Sequence, residues 1–288
     1  MKLSKKYIAM MAVCLWTSAS QAALLTAFEA TGDTAADIQQ TVDDFRGALG
    51  ANNGNLPINA DPNGRRQINW DGIPDAFSDP NLLPGDFFNA DIPGRARGIE
   101  FQATGSTTGF MVSSTAASGQ PTAFGFDSAF PVFSDERLFA SVGGSSFDIL
   151  FFDPSDQTTQ ATVTGFGAVF SGLQIASPVQ LQFFNLANEL IGNLDPIGTD
   201  TGDGLSFFGA IFDAPEIAKV SVIGDSRFLT ENGRFAGARG DGFAFDDFIF
   251  GEPIPVSQVN VSAPSTIAFF IVSFVAFFTL HRKSGLKK

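Results

Sequence analysis

The chain has 288 residues, with 17 Lys and Arg against 30 Asp and Glu and a formal charge of −13 at pH 7. Seven of the bases fall in the first 22 and last eight residues, so the body between carries ten bases against all 30 acids, with Lys219 its one lysine. Such a body is unsuited to nucleic-acid phosphates, whose binding is built on Lys and Arg contacts, and better suited to cations or neutral glycans, while its acidity equally serves as a solubility device. The single Cys, Cys14, and the single His, His281, lie outside it. This excludes disulfide staples, Cys nucleophiles, His-dependent triads and zinc sites built on His or thiolate.

At the start, Lys2, Lys5 and Lys6 precede the apolar run Tyr7 to Trp16, and small residues lead to Ser20-Gln21-Ala22. This is the pattern of a secretory signal peptide over 1–22, with the mature chain beginning at Ala23. An exported body without cystine must be held by a packed core, and one domain over 23–255 is long enough to build it. Its first part, 23–93, is polar and rich in Asn, Pro and Gly. Ile38, Val42, Phe45 and Leu49 recur there at spacings of four, three and four, which predicts an amphipathic helix over Thr34 to Leu49 stopped by Gly50.

The segment Gly64 to Pro74 contains Trp70, the only Trp of the body, with Arg65, Arg66 and Asp71 beside it. An indole face with bidentate polar groups is what sugar recognition needs, so these four are candidate ligand-binding residues. The alternative for the same residues is a buried Trp capping the core, with Arg paired to Asp.

From 98 to 252 short strands alternate with Gly, Pro, Ser and Asp. Strict alternation is clearest in Val179 to Phe183 and Ala218 to Val222. Further strands are predicted at Ile99 to Ala103, Gly109 to Ser113, Leu138 to Val142, Phe147 to Phe152, Ala161 to Phe170, Leu205 to Phe212 and Phe243 to Phe250. That pattern predicts an all-β fold, an antiparallel β-sandwich of jelly-roll type, with one short N-terminal helix and a C-terminal transmembrane helix. Of the 33 Phe, 28 lie in the body and supply much of its core. In the last strand Phe243 and Phe245 are odd while Phe248 and Phe250 are even, so a β-bulge is expected at Asp246-Asp247.

Acidic loops at Asp153 and Asp156, at Asp200 and Asp203, and at Asp241, Asp246 and Asp247 offer hard oxygen ligands. The last three are the best candidates for calcium, because adjacent carboxylates at a bulge need a cation or hydrogen-bond donors. Asp residues at turns also serve backbone geometry alone. Arg239-Gly240-Asp241 is read as a coincidence of a Gly- and Asp-rich chain. No pair among the glutamates sits in a glycosidase signature. No catalytic residue is assigned.

After a linker at Ile254 to Gln258, the 17 residues Pro264 to Leu280 carry no charge and reach about 25 Å as a helix, the short end of a membrane span. Basic residues in 281–288 hold that end in the cytoplasm and place the body outside it. The order of a short Pro-containing motif within 256–263 and Pro264, a Phe-rich span and a basic cluster resembles the PEP-CTERM sorting signals of exported bacterial proteins. Val261-Ser262-Ala263-Pro264 stands where the family has Val-Pro-Glu-Pro, agreeing at the first and last positions. The resemblance covers about the last 25 residues and implies membrane insertion and an exosortase-like processing enzyme. The Trp70 segment together with Asp246-Asp247-Phe248 resembles exported bacterial proteins of unassigned function, which implies no activity.

The sequence thus points to an exported, membrane-anchored or sorted envelope protein with a non-catalytic ectodomain acting in surface or extracellular-matrix interactions. A carbohydrate-binding module using the Trp70 region, with extracellular polysaccharide as partner, is the alternative. A carboxylate-dependent glycoside hydrolase comes third.

Overall fold

The computed structural model describes residues 25–175, 179–200, 202–224, 228–230, 235–236 and 242–257. The leader, Arg239-Gly240-Asp241, the motif Val261 to Pro264, the apolar run and the basic tail lie outside them. Among the described residues no helix is long and apolar enough to cross a membrane.

The elements follow in chain order. Strand β1 (Leu25–Gly32) leads into helix α1 (Ala35–Leu49), then β2 (Arg65–Ile68), β3 (Ile99–Ala103), β4 (Gly109–Val112), β5 (Phe139–Val142) and β6 (Phe147–Phe151). Next come β7 (Ala161–Thr162), β8 (Gly165–Ser171), β9 (Val179–Phe184), β10 (Leu190–Leu194), β11 (Leu205–Phe212) and β12 (Lys219–Gly224). The short β13 (Phe228–Leu229) and β14 (Phe235–Ala236) precede β15 (Ala244–Gly251) and β16 (Ile254–Pro255).

Two sheets stack. The larger runs β1-β11-β8-β15-β5-β13-β14, with β2 added along the second half of β15 and β4 along β5. The smaller runs β10-β9-β12-β6-β3 and is antiparallel throughout. Phe101, Phe147, Phe151 and Phe183 of the smaller sheet meet Phe166, Phe170, Phe208 and Phe248 of the larger in one core. Edge-to-face and tilted ring pairs recur across it, such as Phe147 with Phe245 at 5.7 Å and Phe151 with Phe250 at 5.7 Å. Phenylalanine suits this layer because it fills volume without a polar atom that would need a partner.

Helix α1 covers the far face of the larger sheet. Ile38, Val42, Phe45 and Leu49 are its buried stripe, as the spacing predicts. They pack on Val169, Leu205, Phe207 and Ile249. The helix starts at Thr34, whose N–H and hydroxyl both donate to the Asp37 carboxylate at 2.9 and 2.8 Å, which holds that carboxyl below its ordinary pKa. Phe45 descends onto Gly167 and Gly209, which are direct cross-strand partners on β8 and β11. A Cβ on either would lie 2.8–2.9 Å from the Phe45 ring, so only glycine lets the ring reach the sheet. Such a paired glycine window lets a helix dock closely, at the expense of strand propensity.

The expected bulge is present. Phe245 pairs with Phe170 and Phe248 with Ala168, so β15 has one residue more than β8 in between. Both halves of the strand thereby turn their Phe side chains into the core. Two local expectations change. The predicted strand Ala161 to Phe170 is broken into β7 and β8, and Ile254-Pro255, read as linker, pairs with Thr162 and Ala161. The loop-rich first part also supplies β1 and β2, which pair with β11 and β15 of the larger sheet.

Candidate functional site

Three places concentrate polar chemistry. The first is the segment around Trp70. Strand β2 places Arg66 at the bottom of a pocket of carbonyls, fully buried. Its Nε and Nη2 donate to the two oxygens of Glu252 at 2.8 and 2.7 Å. The remaining donors reach the carbonyls of Ala96, Leu56 and Ile58. Asn53 Nδ2 adds a 2.9 Å bond to Glu252. A planar guanidinium meeting a carboxylate in a fork is the arrangement that best offsets desolvation of both charges.

Trp70 follows in a left-handed backbone conformation, φ 67°, that turns the indole inward. It is 1 % exposed, stacked on Phe139 at 4.3 Å and edge-on to Phe248 at 5.2 Å, with its N–H bonded to the Asp246 carbonyl. Asp71 takes the Arg137 N–H at 3.2 Å and the Asn69 amide at 2.8 Å, and burial raises its pKa. Arg65 is half-buried and bonds the Gly50 carbonyl. Of the two readings of Arg65, Arg66, Trp70 and Asp71, the sugar platform is corrected and the buried Trp is the one observed. The left-handed turn sends the indole into the core, and Arg66 is consumed by Glu252 instead of Asp71.

The second place is the bulge. Asp246 and Asp247 are both buried, at 0 % and 1 % exposure. Asp246 accepts the Phe133 N–H at 2.6 Å, the Ser134 N–H at 3.3 Å and the Ser134 hydroxyl at 2.9 Å. Asp247 takes the same hydroxyl at 2.8 Å and Arg46 Nη2 at 2.6 Å. Protein donors thus fill the role for which a calcium ion was considered at Asp246 and Asp247. Among the described residues no group of three or more acidic, His or Cys side chains is placed to hold a metal, and Asp241 lies outside them. One hydroxyl hydrogen serves two carboxyls, so one contact requires a proton on an acid. Burial, and the neighbouring Asp247 charge, accordingly drive the Asp246 pKa well up, and burial raises Asp247 against the pull of Ser134 and Arg46. Of the loop acids, Asp153 and Asp156 are turn formers: Asp153 accepts the Ser155 N–H and hydroxyl at 2.7 Å, and Asp156 takes those of Thr159, which holds its pKa at about 2.

The third place is the outer face of the smaller sheet. Register aligns Gln102 with Asp148, Asp148 with Ser221, Ser221 with Gln182, and Gln182 with Asn193, one polar side chain per strand. The neighbouring row runs through Glu100, Leu150, Lys219, Phe184 and Leu190. Ser221 donates to Asp148 at 2.5 Å, Lys219 sits 3.8 Å from Asp148 and 4.3 Å above the Phe184 ring. At the β3 end both rows run into a cleft of about 550 Å³ lined by Glu100, Gln102, Leu150, Leu82, Pro84 and Phe110 among others. Alternation in β9 and β12 signals that these strands have a polar face. The ladder itself depends on four strand registers, which the sequence does not display.

No protein-family model matches the chain, and no curated protein matches it. Among solved structures it is similar to a glycoside hydrolase family 43 arabinoxylan arabinofuranohydrolase from Bacillus subtilis, determined in complex with cellotetraose. The identity is 14 %, the TM-score 0.26, and the match covers 51 % of this chain and 25 % of that one. The chain thus spans about a quarter of that enzyme's length. A likeness this distant carries no functional argument.

Proposed function

We propose that this chain is an exported cell-envelope protein whose acidic sandwich, of jelly-roll type, is non-catalytic and acts by surface contact outside the cytoplasm. The observation that carries the reading is the frame in the sequence: a basic-apolar-small leader at 1–22 and an uncharged run at 264–280 with a basic collar enclose a body free of Cys and His. The jelly-roll assignment is supported by the way successive strands change sheet, from β5 to β6, β8 to β9 and β11 to β12. In this reading 264–280 is a transmembrane helix, and Val261 to Pro264 is offered to an exosortase-like enzyme. The test is protease added to intact cells and spheroplasts. The body should be digested while cytosolic markers survive; equal protection of both would sink the proposal. Intact mass of the released form, ending near Ala263, checks the processing step.

A second reading, that the sandwich binds carbohydrate, is favoured by the polar ladder on the open face and not by Trp70. A glycosidase would need two carboxyls across an accessible cleft. The adjacent pair Asp246 and Asp247 is sealed in the fold and does not face such a cleft.

A further inference from the structure

We propose that the open face of the smaller sheet is the docking surface for an extended, uncharged polysaccharide lying across the strands along the ladder and entering the cleft beside β3. This rests on the carbohydrate-binding reading above and names its site and its class of ligand. Gln102, Asp148, Ser221, Gln182 and Asn193 stand one per strand, so the row is about 19 Å long at the usual strand spacing. That is the footprint of a short run of sugar units, not of a single ring.

The chemistry of the row matches sugar hydroxyls, each of which donates and accepts. Amide and hydroxyl side chains do both, and a carboxylate accepts. Gln102 and Asn193 at the two ends are exposed, Asp148 and Gln182 are half-buried, and Ser221, buried between them, donates its hydroxyl to Asp148 and so fixes that carboxylate in the row. The adjoining Leu150, Phe184 and Leu190 give apolar surface for the C–H faces of the same chain, Leu190 being 54 % exposed. Apolar contact with a few fixed polar groups is the general composition of a small-molecule site, and the cleft at the β3 end falls within the usual size range.

Charge selects the class. Lys219, the one base in the two rows, is already turned toward Asp148 and the Phe184 ring, and Glu100 lies in the neighbouring row. An anionic glycan would find carboxylates and an engaged ammonium. A protein partner would require a dry apolar centre, whereas the middle of this row is Asp148, Ser221 and Gln182.

The experiment uses the full-length chain in detergent, applied to immobilised hydroxyethyl cellulose, mixed-linkage β-glucan and, as the anionic probe, alginate. Q102A, Q182A and the double variant are compared with Q40A, which alters the exposed side of α1. The neutral glucans should retain the wild type and Q40A, with affinity falling about fivefold for each ladder amide removed, the net worth of one hydrogen bond. Melting temperatures should stay unchanged, so that lost binding is not lost fold. Retention that survives in the double variant overturns the assignment of this face while leaving carbohydrate binding in place. Failure of every polysaccharide to retain the wild type overturns both, and preference for alginate overturns the uncharged class.

Discussion

The two sheets of the sandwich are built from different residue patterns because one is covered twice and the other once. Every residue of β8, GFGAVFS, and of β15, AFDDFIFG, is buried, since the core lies on one side and α1 with the 115–134 loop on the other. In β9, VQLQFF, buried and half-buried residues alternate. A sheet covered on both faces is under pressure to be apolar throughout, and where a helix comes close it is under pressure to be small. A sheet covered once keeps the period of two. Polar residues on the doubly covered sheet must therefore be satisfied internally, as Asp246 and Asp247 are, while on the open sheet Gln102 and Asn193 are exposed and Asp148 and Gln182 half-buried.

The largest effects should come from the covered side. Phe45→Ala removes the ring seated on Gly167 and Gly209, and is expected to destabilise the fold by about 3–5 kcal/mol in urea unfolding. A loss under about 1 kcal/mol would mean that α1 is an ornament on the sheet and that the double-cover account is wrong. Glu252→Ala should be of similar size, about 3–5 kcal/mol, because it strands the buried Arg66 guanidinium. Pairing it with Arg66→Met should recover most of that loss. Additivity of the two substitutions in a double-mutant cycle would show that the fork is not what couples β2 to the end of β15.

Next in size is a dependence on pH. The raised Asp246 pKa means that the folded chain holds a proton which the unfolded chain has released above about pH 4. Stability from this group is therefore greatest in acid and declines as pH climbs from there through the folded value, by about 1.4 kcal/mol per pH unit for one proton. Asp246→Asn keeps an acceptor for the Phe133 N–H and has no proton to lose. Thermal melts from pH 4 to 8 should show a shallower decline in the variant than in the wild type. Parallel curves would rule out a proton held between the two acids.

The same contrast explains what the sequence disclosed. Strand positions in β3, β9 and β11, the helix stripe and the bulge at Asp246-Asp247 were readable because each is a local pattern of apolar spacing. Strand β1 was missed: LTAFEATG is an edge strand with exposed positions, and its pairing to β11 is a long-range fact. At Trp70 the sequence leaves a sugar platform and a buried cap both open because composition cannot reveal a left-handed turn, and it pairs Arg with a nearby Asp, whereas the partner of Arg66 lies 186 residues away. The ladder stayed hidden for the same reason. Gln182 and Ser221 were visible as polar positions, but their neighbours across the sheet are set by register.

The smallest effect tests the open face most directly, because two adjacent phenylalanines on β9 point to opposite sides. Phe183 is fully buried in the core, and Phe184 lies half-buried in the outer row beneath the Lys219 ammonium. Phe183→Ala should resemble the core losses above, whereas Phe184→Ala gives up one exposed cation–π contact and partial burial, about 1 kcal/mol or less. If the outer face exists to bind, Phe184→Ala should weaken retention on neutral glucan by more than it weakens the fold. A large stability loss at Phe184, comparable to that at Phe183, would show that this face is covered in the folded protein and has no surface to offer a ligand.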